Sequence, residues 1–512
     1  MSSAIKNLLV VFMLVATSRI PEASAQQVPF ISDLFSRYEA FNRLYNEKRH
    51  AGINLNIDTF RKRIEEAFKR GSIAGMMDAL SEAQALVSGR KWDERQRFIS
   101  SLTIEIDRLV VEPNQILQLS LTRMFPSNPD KLFESEPTVT FVIMAGESGN
   151  RGNDAPAPAV TQPIVVAERL KIGETSSNAS RKLLLPDGVY DVVATIEAGN
   201  QKIAEIRRPI YAISGFSDSI AQMSKTIAGI KASTDPKVKA VSQLVATPEF
   251  QLQRVRQLNR TRGDAEINPS QEIDRIDATL TALNKGQNPF ARERGEFERA
   301  YQTSDGKLFP YRLYVPRSYD SGAATPLVVM LHGALGDERY YFGGFFDPAV
   351  IKSEADRRGW ILVGVNGRGR FQIDPEDVSE VINAVSRDYR IDSSRLYLTG
   401  HSMGAFLTWL VAANKPDTFA ALAPVSGGPP AQGDALNTVL SKLKGVPVMV
   451  VHGAQDGIAP AQASRSLASS AEKAGVKLTY LEIPDGNHLS VVTTTFPAVM
   501  EFFEKNSRSA AK

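Results

Sequence analysis

The 512-residue sequence contains no cysteine. That absence removes disulfides, a lipid-modified N-terminal cysteine, thiolate metal sites and any cysteine nucleophile. Histidine is also scarce, with five in the whole chain, so imidazole chemistry has few places to sit. A charge excess of either sign is missing too: 60 basic residues face 57 acidic ones, a net +3. With no dense Lys/Arg stripe interleaved with aromatics, there is no field for a polyanion, and nucleic acid is not an expected partner. Apolar runs fall well short of the roughly 20 residues that a membrane-spanning helix needs. The run Leu8 to Ala16 follows Lys6 and precedes Ala23-Ser24-Ala25 and Gln26, the pattern of a secretory signal with an A-x-A cleavage site. The expectation is an exported protein, periplasmic or extracellular, with residues 1–25 removed and no membrane span afterwards.

What remains is the composition of a soluble globular protein, 43% hydrophobic and 23% charged, too long for one ordinary core. Residues 26–99 carry helical periodicity, with Phe60, Ile64 and Phe68, then Ile73, Met76, Met77, Leu80 and Ala83 at three- and four-residue spacing. That spacing makes Met76 and Met77 core residues rather than a binding stripe. From 100 to 213 the period becomes two, in Leu102–Ile106, Gln118–Thr122, Thr138–Val142 and Tyr190–Ile196, punctuated by Arg151 to Pro163 and by the turn Pro186-Asp187-Gly188. Short alternating strands between turns predict an immunoglobulin-like β-sandwich held by packing alone, a spacer or a docking surface for an unidentified surface or partner. Residues 214–296 read as a helical connector, with Ile220, Met223, Ile227 and Ile230 on one face. From 297 to 512, buried strands such as Leu327–Leu331, Ile361–Val365, Leu396–Leu398 and Pro447–Val451 alternate with helical segments. The fold class expected there is α/β, a mostly parallel sheet between helices, with reactive groups at the carboxyl ends of the strands.

The chemistry gathers in this last region. Gly400-His-Ser-Met-Gly404 stands between a strand and the apolar helical run Ala405–Ala413. A serine presented on so tight a turn leaves no room for side chains two residues before and after it, and Gly400 and Gly404 meet that need. Ser402 is therefore the candidate nucleophile. Its base must come later in the chain, and of the five histidines His50, His332, His401 and His452 all precede or miss that place. His488 in Pro484-Asp-Gly-Asn-His488 is left. The acid that orients it is expected at a strand tip between them, which selects Asp456 in Val451-His-Gly-Ala-Gln-Asp-Gly457; Asp485, close to His488 in sequence, is the rival. For the oxyanion, one backbone donor is expected from Met403 and a second from the turn His332-Gly-Ala-Leu-Gly336, at Ala334 with Leu335 as fallback. His332 is expected to hold that turn. Trp409 is expected in the core. Tyr340–Phe346 either wall an acyl or aryl pocket or simply cover the sheet, and Arg368 either meets a substrate carboxylate or is a solvated loop residue. No metal or organic cofactor is required.

Taken together, Tyr311-Arg-Leu-Tyr-Val-Pro316, Pro326–Gly333, Arg390–Gly404, His452-Gly-Ala-Gln-Asp456 and Asp485-Gly-Asn-His488 resemble secreted α/β-hydrolases of the feruloyl esterase and polyhydroxybutyrate depolymerase type, which grade into prolyl-oligopeptidase-like hydrolases. The resemblance covers residues 297–505, about two-fifths of the chain. Order and spacing are specific for fold and triad, and poorly specific for substrate. The implied activity is a serine esterase acting on a small or polymer-linked carboxylic ester through an acyl-enzyme. A serine peptidase and a non-catalytic surface-binding protein with a relict hydrolase domain stay as alternatives. No β-propeller pattern precedes the hydrolase part, which weighs against the peptidase, and the depolymerases' substrate-binding domains have no recognisable counterpart.

Overall fold

The computed structural model describes residues 29–508, apart from 54–56, 128–131, 147–161, 173–175, 259–266, 335, 344–345, 368–372 and 429–430. The expected signal segment, most of Arg151–Pro163, Leu335 and Arg368 lie outside the described residues. The chain divides into two compact units, one ending at Gly286 and the other beginning at Gln287. Among the described residues no helix is long and apolar enough to cross a membrane.

The first unit opens with helices α1 (Pro29–His50), α2 (Asp58–Lys69), α3 (Ile73–Val87) and α4 (Glu94–Ser101). The hydroxyl of Ser72 accepts from the amide of Gly75 at the start of α3, satisfying a donor that the first helical turn leaves open. Met77 and Leu80 on α3 are fully buried in a core shared with Phe41 and Phe60, so the two methionines serve packing. Eight strands follow among the described residues: β1 (Leu102–Ile106), β2 (Val110–Val111), β3 (Ile116–Arg123), β4 (Pro137–Ala145), β5 (Ile164–Lys171), β6 (Ser176–Lys182), β7 (Gly188–Ala198) and β8 (Gln201–Ala212). They form two sheets, of order β1-β3-β6 and β2-β8-β7-β4-β5. Alternate residues of both, Ile104, Leu119 and Leu121 from one and Phe141, Val192, Ile196 and Ile210 from the other, share a single core. Among the described residues the unit is completed by the α-helices α5 (Phe216–Lys231), α6 (Pro236–Val241), α7 (Ala246–Gln257) and α8 (Pro269–Asn284). Ile220, Met223, Ile227 and Ile230 are the buried face of α5.

The second unit contains β9 (Gly295–Gln302), β10 (Leu308–Val315), β11 (Thr325–Leu331), α9 (Pro348–Arg358), β12 (Ile361–Val365), α10 (Pro375–Asp388), β13 (Ile391–His401), α11 (Met403–Asn414), β14 (Ala421–Val425), α12 (Gly433–Lys442), β15 (Val448–Gly453), α13 (Ala461–Lys473), β16 (Leu478–Ile483) and α14 (Ser490–Glu504). Phe290 is buried in this unit, with the Arg299 guanidinium 4.0 Å above its ring. The eight strands form one sheet of order β16-β15-β14-β13-β11-β12-β10-β9. β10 pairs antiparallel with both β9 and β12, and the remaining pairings are parallel. Every residue of β11 is buried, because Leu327, Val329 and Leu331 enter one apolar layer with α10 to α13 while Val328 and Met330 enter the other with α9 and α14. A strand covered on both faces has no use for alternation, hence its unbroken apolar sequence. Strand order, mostly parallel pairing and helices on both faces are those of an α/β-hydrolase.

Candidate active site

The carboxyl ends of β11 and β13 lie side by side, with Leu331 paired to Gly400. There β13 turns into α11 through Ser402, whose φ of 57° and ψ of −115° lie in a region that side-chain-bearing residues seldom occupy. Neighbouring backbone enforces the turn. A Cβ on Gly400 would run into the carbonyl of Gly404, and one on Gly404 into the carbonyl of Leu331. The amide of Ser402 donates to the carbonyl of Val425 at 2.9 Å, tying the elbow to the end of β14. Ser402 and Met403 thus stand partly exposed between the buried His401 and Gly404.

Two further loops converge on it. Beyond β16, Asn487 accepts the amides of Leu489 and Ser490 and so starts α14 just after His488. Beyond β15 comes Asp456, its Oδ1 accepting the amides of Ile458 and Ala459 at 2.9 and 2.8 Å. His488 Nε2 lies 3.0 Å from Ser402 Oγ, and His488 Nδ1 lies 2.8 Å from Asp456 Oδ2. The structure therefore brings Ser402, His488 and Asp456 into one chain of hydrogen bonds. Asp485 is exposed in the turn before the histidine, and the imidazole's inner nitrogen goes to Asp456 instead. Burial works against a charge on Asp456, but hydrogen bonds from His452, His488 and the Ala459 amide outweigh it and hold its carboxyl well below the usual carboxylate range.

Met403 is the first residue of α11, where helical amides have no partner within the helix. Ala334 lies in the turn after β11, which His332 braces through Nδ1 to the Gly333 carbonyl at 2.8 Å. The aromatic segment covers the sheet: Tyr340, Tyr341, Phe342 and Phe346 are all at most 5% exposed and belong to the layer packed with α9 and α14. For these four rings, sheet cover is the alternative that the burial favours. A large aromatic ring removes most apolar area from water when placed in a layer of this kind. Trp409, 1% exposed, is in the core as expected.

The chain is 31% identical over 143 residues to poly(3-hydroxyalkanoate) depolymerase C of Paucimonas lemoignei, a stretch that covers 25% of this chain and 33% of that protein. It is 30% identical over 195 residues, 36% of its own length, to probable feruloyl esterase C of Aspergillus oryzae, of which it covers 68%. The chain belongs to the feruloyl esterase family. Residues 364–429 of this feruloyl esterase-family chain, which include the elbow, also match the prolyl oligopeptidase family. A solved thermostable esterase is 13% identical, covering 79% of this chain and 100% of that one at a TM-score of 0.37. The chain spans a third of the depolymerase's length.

Chain order alone passed over two histidines that the fold carries into the feruloyl esterase-family site. His452, fully buried at the end of β15, has its Nε2 3.1 Å from Asp456 Oδ2 and 2.9 Å from the Ala459 carbonyl, with Nδ1 2.8 Å from Ser464 Oγ. His401, one residue before the nucleophile, lies with its ring centroid 4.7 Å from that of His488. Their sequence signal was present, in H-G-A-Q-D and G-H-S-M-G, but it could not say which partners would meet the two rings.

Proposed function

We propose that this chain hydrolyses carboxylic esters through an acyl-enzyme on Ser402. The observation that carries the reading is the hydrogen-bonded sequence Ser402 Oγ, His488 Nε2, His488 Nδ1, Asp456 Oδ2 at an elbow that leaves the serine accessible. Ser402 Oγ attacks the ester carbonyl as its proton passes to His488 Nε2, and ionised Asp456 accepts the hydrogen bond from Nδ1–H throughout, stabilising the imidazolium that forms. The amides of Met403 and Ala334 are assigned to the oxyanion, a contribution of about 10²–10³ in rate per donor in comparable sites. His488 then returns its proton to the leaving alcohol, activates water, and the acyl group leaves as the carboxylate.

The family relationship and the esterase and depolymerase relatives favour an ester over an amide. The prolyl oligopeptidase match covers the elbow, a part that esterases and peptidases share, so peptidase activity is the second reading. The 100–213 region is read as an immunoglobulin-like spacer or docking module, and 26–99 and 214–296 as accessory helical regions. In the deciding experiment, Ser402→Ala abolishes hydrolysis of a panel of short- and long-chain acyl esters and feruloyl esters while circular dichroism stays unchanged, and a fluorophosphonate labels the wild type at Ser402 alone. Undiminished ester turnover in the variant, labelling elsewhere, or a preference for aminoacyl amides over every ester in the panel would overturn the reading.

A further inference from the structure

One imidazole beside the nucleophile has no part in the proton transfers above. His401 is 1% exposed at the last position of β13. Its Nε2 lies 2.7 Å from the carbonyl oxygen of His488, and its Nδ1 lies 2.9 Å from the hydroxyl of Tyr340. A carbonyl only accepts, so Nε2 carries the proton and donates. In the neutral ring Nδ1 then has the lone pair, and the Tyr340 hydroxyl donates to it. Each bond ties a different loop to the elbow. Tyr340 also packs on the oxyanion turn so closely that a Cβ on Gly333 or Gly336 would meet it at 2.6 or 2.8 Å.

We propose that His401, oriented by Tyr340, is a positioning residue that fixes the His488 backbone, and with it the imidazole, relative to Ser402 and the oxyanion turn. The proposal rests on the reading of Ser402 and His488 as nucleophile and base. The charged groups facing His401 are His488 from the loop before α14, His452 from β15 and Asp456 from the loop after it. Burial first, then the charges of His488 and His452 against that of Asp456, push its basicity down to about 3. The ring therefore stays neutral across the working pH range, and the bonding pattern inferred from its partners is the one it keeps. Because the bond reaches the backbone of the base itself, its loss displaces the acceptor nitrogen, and a shift of about 1 Å costs up to about 10² in rate.

The test separates reach from polarity. In His401→Gln the side-chain amide extends to where Nε2 stood and still donates to the His488 carbonyl, whereas in His401→Asn it stops near the Nδ1 position. With p-nitrophenyl acetate as the probe, the Asn variant loses about 10- to 100-fold in kcat with KM within about twofold, and its fluorophosphonate labelling slows in parallel, whereas the Gln variant stays within about threefold of wild type. Histidine-selective ¹⁵N NMR of the full chain finds His401 protonated at Nε2, without titration between about pH 5 and 9, and Tyr340→Phe moves its Nδ1 resonance. Gln and Asn variants that are equally active or equally impaired, or a wild-type His401 protonated at Nδ1, would overturn the proposal. The wild-type NMR measurement decides even where a variant fails to fold. A fully active Ser402→Ala would sink the esterase reading itself, whereas an inactive Ser402→Ala with indistinguishable Gln and Asn variants refutes only the role of His401.

Discussion

Replacing Asp456 by asparagine changes one atom in each molecule, and the surroundings dictate how the new amide sits. Oδ1 accepts two backbone amides, from Ile458 and Ala459, so the asparagine oxygen must take that place and the NH₂ group must take the place of Oδ2. The amide then presents a donor to His488 Nδ1, which at present faces an acceptor 2.8 Å away. To accept it, His488 must move its proton to Nε2, the nitrogen that lies 3.0 Å from Ser402 Oγ and has to be free to receive the serine proton. The same substitution in serine-protease triads lowers kcat by about 10⁴, equivalent to about 5.4 kcal/mol of lost transition-state stabilisation. Steady-state hydrolysis of a small activated ester is expected to fall by that order in Asp456→Asn, with unchanged circular dichroism. Asp485→Asn, in an exposed turn, is expected to stay within about twofold, as surface changes away from such features do. A folded Asp456→Asn retaining more than a tenth of wild-type turnover, or an Asp485→Asn that is the more damaged of the two, would refute the reasoning.

Three other outcomes follow from the geometry. Glu338, buried with Asn366 donating to its Oε2 at 2.9 Å, is pushed up to about 8, by desolvation first and then by the charges of Asp337 and Glu298. A carboxyl whose basicity is raised on folding contributes stability that is complete below the ordinary 4.5 and is lost as pH rises through about 8, so Glu338→Gln should gain in Tm over wild type progressively from pH 5 to about 9; a gain that does not vary with pH would contradict this. A fragment beginning at Gln287 should fold and hydrolyse a small ester within about tenfold of the full chain, whereas one beginning at Glu296 loses Phe290 and the carbonyls of Phe290 and Glu293 that accept from the Tyr389 hydroxyl; equal thermal stability of the two fragments would refute that assignment. Gly404→Ala drives a methyl into the Leu331 carbonyl and should cost at least about 2 kcal/mol in urea unfolding together with most activity; a stable, active variant would mean that the elbow yields.

How far this molecule could be read from its residues depends on how local each determinant is. Period two in β3 and β4 and the unbroken apolar run of β11 are consequences of which faces are covered, and both show directly in sequence. The motif order Ser402, Asp456, His488 is legible for a similar reason, since parallel strands deliver loop residues to the same sheet edge whatever the intervening chain. Contacts across the sheet edge are not legible in this way. Tyr340 reaches His401 from 61 positions away, and His401 reaches the His488 carbonyl across 87. No spacing rule distinguishes a ring held between two such partners from one that merely precedes a nucleophile. The aromatic run 340–346 misleads for a related reason: density of rings near a catalytic loop suits a pocket and a core equally, and only the burial of four of its rings in the layer with α9 and α14 separates the two. The residues that carry the reaction are thus set by topology and readable, whereas the residues that hold them in place are set by packing and emerge only when the loops are brought together.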